Sequence, residues 1–223
     1  MNGLSVLLLD IDGTLVDNTA AHIAAWEESF SALGHPVDRE TLRRHIGQGG
    51  DVFVRSVAGE GWDGRYGDDC RRRHGEAYSA RMAEVLPVAG AADFLDRLKS
   101  LDLRAVLASS SNPDEVEKNL AVVGKSPRDF LVVDKDDIGT SKPAPDVFAV
   151  ALRRSRARPE DAVAVGDTRW DGEAASKLAL SFYGVLTGAG RVEELRAGHA
   201  DRIFANLAEL LDFLKAERRR ERG

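Results

Sequence analysis

Asp10 and Asp12 stand two residues apart where the apolar run Leu4 to Leu9 ends, and Gly13 and Thr14 follow them. A run without polar alternation suits a strand buried on both faces of a parallel sheet. If the strand persists to residue 12, both carboxylates leave one face and Ile11 leaves the other. Two unit charges ~4 Å apart interact by roughly 4 kcal/mol at an effective dielectric of about 20. Such a pair needs a proton on one acid or a cation between the two. A capped strand end with solvated aspartates is the alternative. A calcium loop of the EF-hand kind also opens Asp-x-Asp, but it requires glycine and glutamate where this chain has Leu15 and Ala21.

Four further residues can join that chemistry. Ser109 follows the run Arg104 to Ala108, Lys142 lies in Gly139-Thr140-Ser141-Lys142-Pro143, and Asp167 and Asp171 follow Ala162 to Gly166. Singly, each has a plainer use. Ser109, Ser110, Ser111 and Asn112 can cap a helix, Asp171 can complement a helix N-terminus, and Lys142 can be an exposed loop lysine. Together, four acids, a serine and a lysine meet at one sheet edge if the chain between them alternates strand and helix.

The spacing supplies that alternation. Apolar residues switch to helical spacing at Ile23, Trp26, Phe30 and Leu33, before Gly34. Residues 38–46, 50–58 and 66–85 read as further helices, broken by Gly47-Gln48-Gly49-Gly50 and by Gly59 to Gly64. No strand signal appears between Asn18 and Leu86, so this block reads as a helical insertion with its own small core. After Pro87 helices at 90–100, 113–123, 145–154 and 170–178 alternate with strands at 104–108, 130–133, 162–165 and 180–185, then a short strand near Ile203 and a last helix. That order predicts a parallel sheet with helices on both faces, and ligands bind beyond the carboxyl ends of such strands.

Composition narrows the partners. The chain has 223 residues, 43% apolar and 30% charged, enough for a full core. No apolar stretch approaches the ~20 residues of a membrane helix, and the N-terminus enters a strand without a basic leader, so a cytoplasmic protein without a membrane partner is expected. Cys70 is the only cysteine, which leaves no intrachain disulfide and no cysteine-rich zinc site. A net charge of −6 argues against nucleic acid. The basic runs Arg71-Arg72-Arg73 and Lys215 to Arg222 read as solvated helix ends, the second favourable for the helix dipole.

In this order and setting, Asp10-Ile11-Asp12-Gly13-Thr14, Ser109, Lys142 and Gly166-Asp167-Thr168 with Asp171 resemble the four motifs of the haloacid dehalogenase-like hydrolases, most of which are phosphatases. The block after Val16 resembles the helical cap of the phosphoglycolate phosphatase and β-phosphoglucomutase-like branch. The resemblance implies an α/β, Rossmann-like core of residues 1–16 and 88–223, and an inserted helical cap domain of residues 17–87. It implies that Asp10 attacks phosphorus to give an aspartyl-phosphate, and that Asp12 protonates the leaving oxygen and then deprotonates water. Mg²⁺ would be held by Asp10, the Asp12 carbonyl and Asp167, with Asp171 binding directly or through water. Ser109 and Lys142 would hold the transferring phosphoryl oxygens, with Ser110 and Asn112 as further candidate contacts. The cap would exclude water. The implied partner is a small phosphate ester, and a monomer is compatible.

Within the resemblance, Asp12 favours phosphoryl chemistry, because a halide leaving group needs no proton. A phosphonatase needs a cap lysine, and no lysine precedes Lys99. A sugar phosphomutase is the alternative: His22 matches the hinge histidine of that branch, whereas Gly47-Gln48-Gly49-Gly50 lacks the arginine and lysine that grip a distal phosphate there. Gly47 and Gly50 are candidate hinge positions, and Arg55 and His45 candidate substrate contacts. A binding or regulatory protein that keeps the fold without the chemistry is a third reading. Gly124-Lys125-Ser126 and Gly47 to Val52 fail as nucleotide-binding loops, since Asn119 and Val52 stand where glycine is required.

Overall fold

A computed structural model describes residues 3–222. Val6–Leu9 forms β1, the strand with β4 and β6 on either side, and all four of its side chains are buried. Leu7 and Leu9 pack with Phe94, Leu98 and Leu210 on one face. Val6 and Leu8 pack with Val147, Phe148 and Ala174 on the other. Both faces lose water, which explains the missing polar alternation.

The chain then forms β2 (Val16–Asp17), α1 (Thr19–Ala32), α2 (Arg39–His45), α3 (Gly50–Ala58), α4 (Glu60–Ala80) and β3 (Leu86–Pro87). It continues with α5 (Ala91–Ser100), β4 (Arg104–Ala108), α6 (Pro113–Val122), β5 (Leu131–Val133), α7 (Asp146–Ser155), β6 (Ala162–Gly166), α8 (Arg169–Ser176), β7 (Ser181–Val185), α9 (Val192–Ala197), β8 (Arg202–Phe204) and α10 (Leu207–Arg222). Six strands form a parallel sheet in the order β5-β4-β1-β6-β7-β8. Leu9 pairs with Leu107 of β4 and Val165 of β6. The next residues of all three strands therefore leave the same edge, at the point where the strand order switches direction.

The four helices between β2 and β3 pack around Trp26, Phe30, Leu42, Phe53, Val54 and Cys70. They join the sheet through the antiparallel β2–β3 ribbon, in which Val16 pairs with Pro87. Two expectations need correction here. Helix α4 starts at Glu60, not near 66, and ends at Ala80. Only Gly59, at φ +85°, breaks the chain; a Cβ on Gly61 or Gly64 would meet nothing within 4 Å, and both stay helical. Burial of Cys70, His74, Ala77 and Tyr78 outweighs the roughly 1 kcal/mol that each helical glycine loses against alanine. Arg71-Arg72-Arg73 accordingly lies inside α4 and not at a helix end.

None of the described helices is long and apolar enough to cross a membrane. A groove of about 660 Å³ opens between α5, β4 and β5 at the amino ends of the strands, lined by residues such as Leu95, Leu98, Arg104 and Leu131. It lies away from the convergent acids, which open onto a smaller cavity at the other edge.

Candidate active site

β1 ends at Leu9, and the chain turns at once. The amides of Thr14, Leu15 and Val16 donate to the Ile11 carbonyl at 3.2, 2.8 and 3.1 Å. Gly13 has φ +75°, and a Cβ there would lie 2.4 Å from an Asp167 carboxylate oxygen, so glycine is required by both backbone and space. Asp10 and Asp12 therefore do not leave one face of a continuing strand. They open onto the same cavity, but each has its own cation.

The cation beside Asp10 is Lys142. Its ammonium, with the residue 2% exposed, donates to Asp10 and, at 2.7 Å, to Asp171. The other Asp171 oxygen accepts from the Thr168 amide at 3.1 Å and hydroxyl at 2.7 Å, a cap that opens α8. Asp167 accepts from the Ala189 amide at 2.7 Å, and the Thr14 hydroxyl reaches both Asp10 and Asp167 at 3.4 Å. Burial by itself disfavours an ammonium, but Asp10 and Asp171 outweigh it and hold Lys142 charged. The acids are short of positive charge. Burial first, with Asp171 next, pushes the Asp167 carboxyl up to about 7. Burial also pushes Asp10 up, against the pull of Lys142.

Oxygens of Asp10, Asp167 and Asp171 lie within 4.8 Å of one another. Three buried carboxylates facing one ammonium, offering only hard oxygen donors, fit a divalent cation such as Mg²⁺.

Asp12 is held from the opposite side. Its Oδ1 accepts from Asn18 Nδ2 and Asn119 Nδ2, both at 2.7 Å. Its Oδ2 accepts from the Ser109 and Ser111 hydroxyls at 3.2 and 3.1 Å. His22 Nε2 lies 3.6 Å from Asp12 and 3.5 Å from Glu115. Burial alone raises the Asp12 carboxyl, yet the His22 contact and the amide and hydroxyl donors bring it down to about 2. Burial lowers His22, but Asp12 and Glu115 outweigh it and raise the imidazole above its usual range. His22 Nδ1 lies 3.1 Å from His74 Nε2. Burial and the neighbouring His22 charge keep His74 well below its ordinary value, so His22, when protonated, donates to a neutral His74.

The cavity between the sheet edge and the helical insertion measures about 350 Å³. Asp10, Asp12, His22, Ser110, Asn112, Lys142, Gly47 and Gly50 line it, with Ser109, Asp167 and Asp171 buried behind. Ser110 brings a buried hydroxyl without a hydrogen-bond partner. Asn112 sits exposed at the rim, and its side chain accepts from the Glu115 amide at 3.0 Å as the α6 cap. His45 and Arg55 are not in the wall: His45 contacts Gln48 and stacks on Trp170, and Arg55 pairs with Asp63 at 3.6 Å.

The sequence reading missed Arg71, His74, Glu115 and Lys135, all in the cavity wall, and the buried Asn119. Arg71 was hidden in a basic run. A polar residue on an otherwise apolar helix face, Asn119 between Val116 and Leu120, was the available signal for the last.

A sequence model of the haloacid dehalogenase-like hydrolases matches residues 4–178. The chain belongs to that family. It is 31% identical over 219 residues to Protein CbbY of Cereibacter sphaeroides, covering 93% of this chain and 94% of that one. Validoxylamine A 7'-phosphate phosphatase of Streptomyces hygroscopicus subsp. limoneus is 27% identical over 209 residues, covering 92% and 95%. Among solved structures, a hydrolase from Pseudomonas syringae is similar with a TM-score of 0.90 at 27% identity, covering 96% of this chain and 98% of that one.

Proposed function

We propose that this haloacid dehalogenase-like hydrolase is a phosphoric monoester hydrolase that acts on a small phosphorylated metabolite, with Asp10 as nucleophile and Mg²⁺ as cofactor. The observation that carries the reading is the placement of Asp10, Lys142, Asp167 and Asp171 in one buried cluster whose open side shares a cavity with Asp12. A relative named as a phosphatase supports the reaction class.

An Asp10 oxygen attacks phosphorus, and the bond to the leaving oxygen breaks as Asp12 gives that oxygen a proton. Asp12 is ionised in the substrate-free site, and the negative charge of an arriving phosphoryl group raises its proton affinity for this step. As a carboxylate it then takes a proton from the water that attacks the aspartyl-phosphate, which returns Asp10 and releases phosphate. Lys142 and Ser109 hold the phosphoryl oxygens as charge spreads over them. Asp10, the Asp12 carbonyl and Asp167 would hold Mg²⁺. Both Asp171 oxygens are engaged, one by Lys142 and the other by Thr168, so Asp171 holds Lys142 and would support the ion from behind its ligands. When bound, Mg²⁺ would supply positive charge that stabilises the transferring oxygens.

The insertion is the cap, residues 17–87, hinged at the β2–β3 ribbon. It supplies His22, Gly47 to Asp51, Arg71 and His74 to the cavity wall, which closes the site to bulk water. Arg71 already pairs with Asp63 and Asp68 at 2.7 and 2.8 Å, and Lys135 with Asp51 at 3.0 Å. A wall whose cations are matched by acids suits a substrate with one phosphate, and favours hydrolysis over a bisphosphate-primed mutase. The single buried thiol of Cys70 accords with a cytoplasmic setting.

Phosphate release from a panel of phosphomonoesters with Mg²⁺ tests the reading. Turnover abolished by Asp10→Asn is expected; no turnover, or turnover that survives Asp10→Asn, contradicts it.

A further inference from the structure

Asn119 is fully buried on the face of α6 that also carries Val116 and Leu120. A buried amide with no partner is costly where a leucine would pack without penalty, so its partners are informative. They form a closed ring. Asn119 Nδ2 donates to Asp12 Oδ1 at 2.7 Å, and Asn119 Oδ1 accepts from the Tyr78 hydroxyl at 2.7 Å. The Tyr78 oxygen accepts from Asn18 Nδ2 at 2.9 Å, and the same Asn18 amide donates to Asp12 Oδ1 at 2.7 Å. The Gly13 amide donates to Asn18 Oδ1 at 3.1 Å, which fixes the orientation of that side chain.

The ring joins four parts of the chain. Asp12 comes from the loop after β1, Asn18 from the start of the insertion, Tyr78 from the last turn of α4, and Asn119 from the sheet-side helix α6. Asn18 and Tyr78 are 2% and 1% exposed, so water does not substitute for a missing member. Tyr78 also stacks on His22, with ring centroids 4.0 Å apart. The His22 contact to Asp12 therefore leans on the same tyrosine.

We propose that Asn119, linked to the cap by Tyr78, is a positioning residue that aligns Asp12 for proton transfer to the leaving oxygen only while α4 is seated against the core. This rests on the phosphatase reading, in which Asp12 is the acid. Asn119 is buried away from the cavity and acts through Asp12. A merely structural amide would affect all substrates alike. A positioning amide matters in proportion to the leaving group's need for a proton.

The test compares kcat/KM, which ends at the first irreversible step, for glycerol phosphate, whose alkoxide must be protonated, and p-nitrophenyl phosphate, whose phenolate leaves unaided. Asn119→Leu is expected to lower kcat/KM for glycerol phosphate by about tenfold or more, a part of the 10²–10⁴ that a positioned acid contributes. The p-nitrophenyl ester should change by less than about threefold on the same account. Tyr78→Phe keeps the ring stack and removes only the hydroxyl, and should show a smaller split in the same direction even if Asn119→Leu does not fold. Equal losses on the two esters, or no loss on either, overturn the inference and leave the phosphatase reading standing. A wild-type protein silent on both esters, or one indifferent to Asp10→Asn, removes that reading and this inference with it.

Discussion

Lys142 reaches Asp171 at 2.7 Å, and the far oxygen of that same Asp171 is the cap that starts α8. Lys142 is thus moored to a helix terminus and also donates to Asp10, the proposed nucleophile. Lys142→Met would leave three buried acids without their cation. Urea unfolding in the absence of Mg²⁺ should show a loss of about 3–5 kcal/mol, the scale for an uncompensated buried charge. A change below about 1 kcal/mol would show that the cluster does not depend on it.

Asp167 sets the direction of a pH effect. Its folded-state value, pushed up to about 7 by burial and Asp171, exceeds the ordinary 3.8. Between those values the folded state binds more protons than the unfolded state, so stability falls as pH rises. Metal-free protein should lose stability on going from acid to neutral pH as this group ionises, and saturating Mg²⁺ should flatten the slope. Denaturation curves across that range with and without the ion check this; a metal-free protein whose stability rises throughout would contradict it.

His22 and His74 should titrate far apart although their nitrogens are 3.1 Å from each other. His22 is raised by Asp12 and Glu115 against its burial, and His74 is lowered by burial and by His22. Ring-nitrogen NMR should find His22 still protonated above the usual histidine range and His74 neutral below it. Because the His22 value is raised, its stabilising contribution is present at low pH and fades as pH passes its folded value. Coincident titration of the two rings near the ordinary value would exclude the assigned proton positions.

The loop 47–50 gives a contrast within three glycines. Gly47 has φ +96°, and a Cβ there would meet Thr168 Oγ1 at 2.5 Å; one on Gly49 would meet Ser141 Oγ at 2.2 Å, beside Lys142. A Cβ on Gly50 would meet only the flexible Arg71 side chain at 3.3 Å and Trp26 at 3.6 Å, an ordinary contact. Gly47→Ala and Gly49→Ala should each lower kcat/KM by about tenfold or more, since an ångström of misplacement at a site can lose more than that. Gly50→Ala should stay within about twofold by the same measure. Equal effects at all three positions would show that contact with the core loops is not what selects glycine.

The legible parts of this molecule are those that local spacing encodes. β1 shows as an unbroken apolar run because both its faces are covered, and Asp10, Ser109 and Asp167 stand just beyond strand ends, where sheet topology forces convergence. The start of α4 was not legible, since glycines that usually interrupt a helix are carried here by packing further along it. Arg71, His74, Glu115 and Asn119 were not legible either. They form two pairs, three residues apart on α4 and four apart on α6, and only the docking of those helices over Asp12 brings them together. Asp12 itself shifted in meaning: the turn at Gly13 takes it off the strand face and gives it His22, while Asp10 keeps Lys142.

The central claim is that Asp10 carries the phosphoryl group during turnover. The most direct measurement is acid quenching of the protein during steady-state hydrolysis with Mg²⁺, followed by mass analysis of the peptide that contains residues 7–17. The account predicts one added phosphoryl group on Asp10, absent in Asp10→Asn and accumulating when water attack is slowed. Turnover with that peptide unmodified, and the group found on another residue, would contradict it.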